Sequence, residues 1–231
     1  MGKTEQLARL MEVQRVIQEH FPECVLVGGT AAAIHAGHRY SLDLDSELTD
    51  LKKQFPEVLG KLQELAGWTT NRVNFPVQIL GSFEGVEVGI RQLIRSAPLE
   101  TEEVVGILVP TIQEILRVKA FLIVKRNALR DYLDFCALAG KIGEGFEAAM
   151  DSFDHLYPQP PRGDTTAQEL CRRLAQPRPK DYNPGMAGMD LTSWRGLEYP
   201  WTDWAYVENF ARTLGGRLFD RVHGFRRQKE V

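Results

Sequence analysis

Cysteine is scarce in this chain, and its three thiols, Cys24, Cys136 and Cys171, are scattered. An odd number without metal-ligand spacing argues against a disulfide framework or a cysteine zinc site, and suits a reduced, cytoplasmic setting. Charge of one sign is also scarce: 28 basic and 31 acidic residues leave a net −3. Global charge therefore does not drive the chain onto nucleic acid or membrane, and any RNA contact needs a local basic patch. No run approaches the ~18 apolar residues of a membrane span, so none is expected. The opening MGKTEQLARLMEVQRVIQEHF lacks the uninterrupted apolar core of a signal peptide. No internal repeat is visible. What is present is 43% hydrophobic and 26% charged residues over 231 positions, enough for one large domain or two modest ones sharing a cleft.

The densest information lies in Val25 to Asp45, VLVGGTAAAIHAGHRYSLDLD. A short apolar run leads into Gly28-Gly29-Thr30, then a small-residue helix, then Asp43-Leu44-Asp45. Strand side chains alternate faces, so Asp43 and Asp45 point the same way. A helix start offers unpaired backbone N–H groups, and Thr30 adds a hydroxyl; together they suit a phosphate. Paired carboxylates hold Mg²⁺ while the loop holds the phosphates that the metal bridges. Either half alone is weak, since glycine pairs usually make turns and acidic strand ends are usually solvated. Joined at a spacing that fits one helix and a reversal, they read as equipment for nucleotidyl transfer.

Hydrophobic spacing predicts a helix over 3–20, a buried strand at 24–27, a short helix at 30–36, and a strand at 40–45 with Leu42 and Leu44 on the core side. A helix over 50–66 has Pro56 starting or kinking its second half. Strands follow at 76–80 and 86–94, turned around Glu84-Gly85, and at 104–109. At Pro110 the character changes: Thr111 and Glu114 form a capping-box pattern ahead of helices at 111–127 and 128–139. A Pro- and Gly-rich stretch after Tyr157 (Pro158, Pro160, Pro161, Pro177, Pro179, Pro184, Gly185, Gly188) is broken by a helix near 167–174, and a last helix spans 203–219. The expected class is α+β, a small mixed sheet with helices over 1–110 and a helical half over 111–231 that closes the cleft.

The segment LVGGTAAAIHAGHRYSLDLD resembles the first motif of the AbiEii-type nucleotidyl transferases, toxins of bacterial abortive-infection and toxin–antitoxin systems within the polymerase-β-like nucleotidyltransferase superfamily. The matching residues are Gly28, Gly29, Thr30, His38, Arg39, Ser41, Asp43 and Asp45. A second match, KAFLIVKRNALRDYLDF, supplies Lys119, Arg126, Arg130, Asp131 and Asp134. The resemblance implies a polymerase-β-like core and a nucleotide site made of Gly28, Gly29, Thr30, Arg39, Ser41, Lys119 and Arg126. It further implies two Mg²⁺ ions on Asp43 and Asp45, an NTP substrate, catalytic roles for Lys119 and Asp131, an RNA acceptor such as a tRNA 3′ end, and a cognate antitoxin. Read from the residues alone, Lys119 and Arg126 lie seven apart, two helical turns on one face, so both can face one cleft. The apolar neighbours of Lys119 favour that over solvent; the alternative is a solvated ion-pair face with Arg130 and Asp134 as an i,i+4 pair.

One departure stands out. The superfamily supplies a third carboxylate from a later strand, but Gly89 stands where it is expected, with Glu87 two positions earlier. Either Glu87 serves, or a carboxylate of the helical half such as Asp131 serves, or catalysis is lost; the second suits the family best. A degenerate nucleotide- or partner-binding protein of the same fold, and a transferase with a small-molecule acceptor, are the rival readings. His35 and His38 read more readily as helix-end histidines bonded to a carbonyl or carboxylate than as catalysts. Trp194, Tyr199, Trp201, Trp204 and Tyr206 read more readily as packing of the last helix than as a base-stacking platform. Arg221, Arg226, Arg227 and Lys229 form a modest basic cluster that suits a solvated terminus or an RNA backbone equally.

Overall fold

The computed structural model describes residues 3–159, 163–183, 191–194 and 196–224. The elements run α1 (Lys3–His20), β1 (Val25–Val27), α2 (Gly28–Ala36), β2 (Asp43–Leu48), α3 (Leu51–Glu64), β3 (Trp68–Asn74), β4 (Gln78–Phe83), β5 (Val86–Gln92), β6 (Thr101–Val104) and β7 (Ile107–Pro110). They continue with α4 (Ile112–Arg126), α5 (Leu129–Ile142), α6 (Phe146–Met150), α7 (Phe153–Leu156), α8 (Thr166–Ala175) and α9 (Trp204–Val222). The chain divides into two compact units, Met1–Ile115 and Leu116–Val231. This is an α+β protein with a small mixed sheet.

In the first unit the sheet order is β1-β2-β5-β4-β3, with β2 and β5 parallel and the other pairs antiparallel. Alternation along β2 buries Leu44, Ser46 and Leu48, whose register partners include Val88 and Ile90, themselves beside Gly81 and Ile79. This apolar face meets α1, where the Ser46 hydroxyl donates to Gln14 Oε1 at 3.1 Å. It also meets α3, whose Leu51, Phe55, Val58 and Leu62 are buried at helical spacing, each contributing about 1.5–3 kcal/mol by removal from water. The opposite face of β2 carries Asp43, Asp45 and Glu47. The Gln18 side chain ties the β6–β7 hairpin to the β1 edge. Gln18 donates to the carbonyls of Cys24 (2.7 Å) and Leu108 (2.8 Å) and accepts from Leu108 N at 2.8 Å.

The structure departs from the sequence reading in identifiable places. The strand expected at 40–45 is shifted to Asp43–Leu48, and Leu42, expected in the core, is 49% exposed ahead of it. Strand β3 was not foreseen, because Trp68–Asn74 is a polar, mostly exposed sheet edge without apolar alternation. The β4–β5 hairpin does turn at Glu84-Gly85, both at positive φ, and the strand expected at 104–109 is instead a second hairpin turned by Val105-Gly106, also at positive φ. Pro56 sits inside a single continuous helix. Thr111 accepts from Glu114 N at 3.3 Å, but the Glu114 carboxylate is drawn into a buried ion pair with Arg95 at 2.7 Å. A complete capping box instead starts α8, between Thr165 and Gln168.

The second unit is helical among its described residues. On α9, Arg217 grips Glu147 of α6 with two 2.5 Å bonds, and Arg221 grips Asp151 at 2.6 and 2.8 Å. No helix among the described residues is long and apolar enough to cross a membrane. Of the Pro/Gly-rich stretch, Pro160, Pro161, Pro184, Gly185 and Gly188 lie outside the described residues, as do Arg226, Arg227 and Lys229.

Candidate active site

Strand β1 ends at Val27, in register with Asp45, and the chain turns at once into α2. Gly28 makes that turn at φ +73, and a Cβ there would lie 3.0 Å from Asp45 Cβ and 3.2 Å from Asp45 Oδ2. Both the backbone angle and the close approach therefore require glycine. A Cβ on Gly29 would lie 2.5 Å from Arg39 Nη2, so the buried guanidinium packs against the bare backbone of the helix start. Arg39 also donates to the Tyr40 carbonyl at 3.1 Å. No side chain caps α2, which leaves its first N–H groups and the positive end of its dipole beside Asp45.

Two hydroxyls fix Asp43. Thr30 Oγ1, buried, donates to the Asp43 carbonyl at 2.7 Å, and Ser41 Oγ donates to Asp43 Oδ1 at 2.8 Å. The hydroxyl of Thr30, expected to serve a phosphate directly, is thus spent on the strand that carries the carboxylates. A hydroxyl has a single proton to donate, so its observed role is positional.

Register places Glu87 beside Asp43, Gly89 beside Asp45 and Arg91 beside Glu47. The side chains of Asp43, Asp45, Arg72, Leu80, Glu87 and Arg91 line a cavity of about 330 Å³. Arg91 donates from Nε to Asp45 Oδ1 at 3.1 Å, and its Nη2 lies 3.0 Å from the same oxygen. A Cβ on residue 89 would lie 2.9 Å from that same oxygen, so an aspartate at 89 would collide with Asp45. The third carboxylate of this face is Glu87, exposed in the cavity. Two positions beyond Asp45, burial first and the neighbouring Asp45 charge second push Glu47 up to about 7. Sequence reasoning missed Arg91, Arg72 and Glu47. Glu47 continues the alternation of Asp43 and Asp45, but Arg91 and Arg72 join the site only through strand pairing.

In the second unit, Lys119 donates to Asp134 Oδ2 at 2.8 Å, with side chains 2% and 0% exposed. Arg126 grips both oxygens of Asp131, at 2.6 and 2.7 Å. Asp134 is fully buried, so the segment is no solvated ion-pair face, and the pairing seen for Asp134 is with Lys119 of the preceding helix. Beside Arg126, Asn127 at φ 53 reverses the chain and donates to the Arg178 carbonyl, while Tyr132 donates to Asn127 Oδ1 at 2.6 Å.

The remaining candidates behave as structural groups. His35 Nε2 lies 2.7 Å from the Pro110 carbonyl, and His38 is buried. Trp201 packs against Phe210 and Tyr206 and lies over Gly140 of α5, and Trp204 packs against Tyr132 and Tyr182; Tyr199 is exposed. All three cysteines are buried, and burial raises the thiols of Cys24 to about 12 and Cys171 to about 11, with Cys136 raised as well. Thiols held that far from ionisation are poor nucleophiles.

A family model described as nucleotidyl transferase AbiEii toxin, type IV toxin–antitoxin system, matches residues 9–195. Among curated proteins, the heme uptake protein MmpL11 of Mycobacterium tuberculosis is 35% identical over 103 residues, 42% of this chain. That match spans only 11% of the relative's length. Among solved structures, an H. pylori protein provisionally described as a nucleotidyltransferase has TM-score 0.48 and 14% identity, covering 89% of this chain and 90% of its own. The antibiotic-resistance factor ANT(2'')-Ia has TM-score 0.46 and 10% identity, covering 68% of this chain and 95% of its own.

Proposed function

The chain belongs to the AbiEii nucleotidyl transferase toxin family, and from that premise we propose that it moves a nucleoside monophosphate from an NTP to an acceptor hydroxyl with Mg²⁺ held by Asp43 and Asp45. The observation that carries this reading is the seating of Asp43 and Asp45 on one sheet face, in an open cavity, beside the uncapped start of α2. The donor set fits a hard cation. Among the described residues no three His, Cys, Asp or Glu side chains converge on one point. Two carboxylates suit Mg²⁺, which keeps several waters and completes its shell with substrate phosphates. When bound, such ions stabilise the attacking and leaving oxygens of an in-line displacement.

The chain's own residues supply the rest. Ser41 and the Thr30 hydroxyl hold Asp43 in place, and Gly28 and Gly29 let the α2 backbone approach the phosphates. In the helical unit Lys119 and Arg126 are already paired with Asp134 and Asp131. Glu87 takes the acceptor proton as the acceptor oxygen bonds to the α-phosphorus and pyrophosphate departs. It shares the cavity with Asp43 and Asp45, whereas both oxygens of Asp131 are held by Arg126. The acceptor we assign is an RNA such as a tRNA 3′ end, modified in the cytoplasm, with growth inhibition as the outcome and an antitoxin as the partner that relieves it.

The test is incubation with each α-³²P-labelled NTP, Mg²⁺ and total tRNA, with Asp43→Asn as control. Label in RNA with the wild type alone is expected and names the nucleotide. Measurable NTP binding without transfer to any acceptor would instead establish a degenerate binding protein.

A further inference from the structure

The cation already seated on Asp45 is Arg91, and its geometry differs from the two-pronged arginine pairs of the molecule, resembling instead the one-oxygen contacts that Arg173 and Arg212 make with Glu169 and Glu208. Arg126, Arg217 and Arg221 each span both oxygens of their carboxylates, the fork-to-fork arrangement in which guanidinium binding is strongest. Arg91 instead brings Nε and Nη2 onto the single oxygen Oδ1 of Asp45. Its side chain is 42% exposed and that of Asp45 30%, so the pair sits in solvent reach, where such contacts are weak. The guanidinium reaches Asp45 because residue 89 is glycine: a Cβ there would lie 2.9 Å from Oδ1 and 3.7 Å from Arg91 Nη2. On its other side the guanidinium faces the side-chain amide of Gln78, its register partner on β4, whose oxygen accepts from it when the amide is turned. The cavity around it also holds Arg72 and leaves room for the side chain to swing.

We propose that Arg91 is a placeholder for the divalent cation, holding Asp45 until metal arrives and then turning, still tethered at Gln78, to present its guanidinium with Arg72 to a substrate phosphate. The inference rests on the reading of Asp43 and Asp45 as metal ligands. The physical cause is charge: a guanidinium and a divalent cation on one carboxylate oxygen repel, so binding one displaces the other. With Asp43 and Asp45 neutralised by metal, Arg72 and Arg91 outnumber Glu87 in the cavity, which then favours an anion.

The test needs no turnover. Mn²⁺ binding, followed by electron paramagnetic resonance without nucleotide, is compared for the wild type, Arg91→Met, Arg91→Lys and Asp45→Asn. Arg91→Met should bind Mn²⁺ about fivefold more tightly, the factor corresponding to loss of an exposed ion pair. Arg91→Lys should lie near the wild type, and it serves where the methionine variant does not fold. With Mn²⁺ saturating, Arg91→Met should in turn bind inorganic tripolyphosphate more weakly than the wild type. Unchanged or weaker Mn²⁺ affinity in Arg91→Met, beside a wild-type site that Asp45→Asn abolishes, would overturn the placeholder and leave the metal reading intact. Mn²⁺ binding insensitive to Asp45→Asn, or absent from every variant, would overturn both.

Discussion

The two units of this protein use the same pairing of acid and base in opposite ways. On the open sheet face, Asp45 and Arg91 meet through one oxygen, each partly exposed. In the helical unit, Lys119 and Asp134 meet with both side chains out of water, and Asp131 is fully buried under a two-pronged Arg126. An exposed pair is worth little and is readily exchanged, whereas a buried pair is held because separating its members strands a charge in a poor solvent. The open face can therefore exchange its partners for metal and substrate. The helical unit holds its basic groups at fixed positions.

The contrast breaks most sharply at Lys119. Lys119→Met leaves Asp134 buried without its ammonium and should cost ~3–5 kcal/mol in urea unfolding, while the double change with Asp134→Leu should recover most of that loss. Next comes Glu47, which follows Asp43 and Asp45 on alternate positions of β2. Its folded pKa of about 7 stands above the ordinary 4.5, so its contribution to stability is full below pH 4.5 and is lost as pH rises through 7. Glu47→Gln should remove that slope, about 1–3 kcal/mol, from stability measured by thermal melting between pH 4 and 8. Asp45→Asn should change stability by less than about 1 kcal/mol, because the ion pair it removes is exposed. Smallest is the α6–α9 contact, where the Arg217 bonds hold Glu147 below the usual carboxylate range. That stability is present above the ordinary carboxylate pKa and lost as pH falls through the depressed one. Glu147→Gln should flatten the acid limb by less than about 1 kcal/mol.

Much of this was legible in the chain. Gly28-Gly29, the small-residue helix, and Asp43 and Asp45 on alternate positions are local features, and periodicity placed them on a strand–helix–strand unit. The Glu84-Gly85 hairpin was legible for the same reason. What escaped depends on pairing between distant segments. Arg91 reaches Asp45 only because β5 lies parallel to β2 in one register, and Arg72 lies on an edge strand too polar to signal itself. The Thr30 hydroxyl illustrates a further limit: its position was read correctly, but its partner, the Asp43 carbonyl, is a backbone atom that side-chain motifs do not reveal.

The central claim, that the Asp43–Asp45 face transfers nucleotides, is tested most directly by pyrophosphate release. Purified protein, NTP and tRNA should release pyrophosphate with Mg²⁺ and stop when the metal is chelated. Asp43→Asn, folded to the same melting temperature within a few degrees, should lower the rate by about a thousandfold. Release that persists undiminished in Asp43→Asn, or that ignores the metal, would contradict the account.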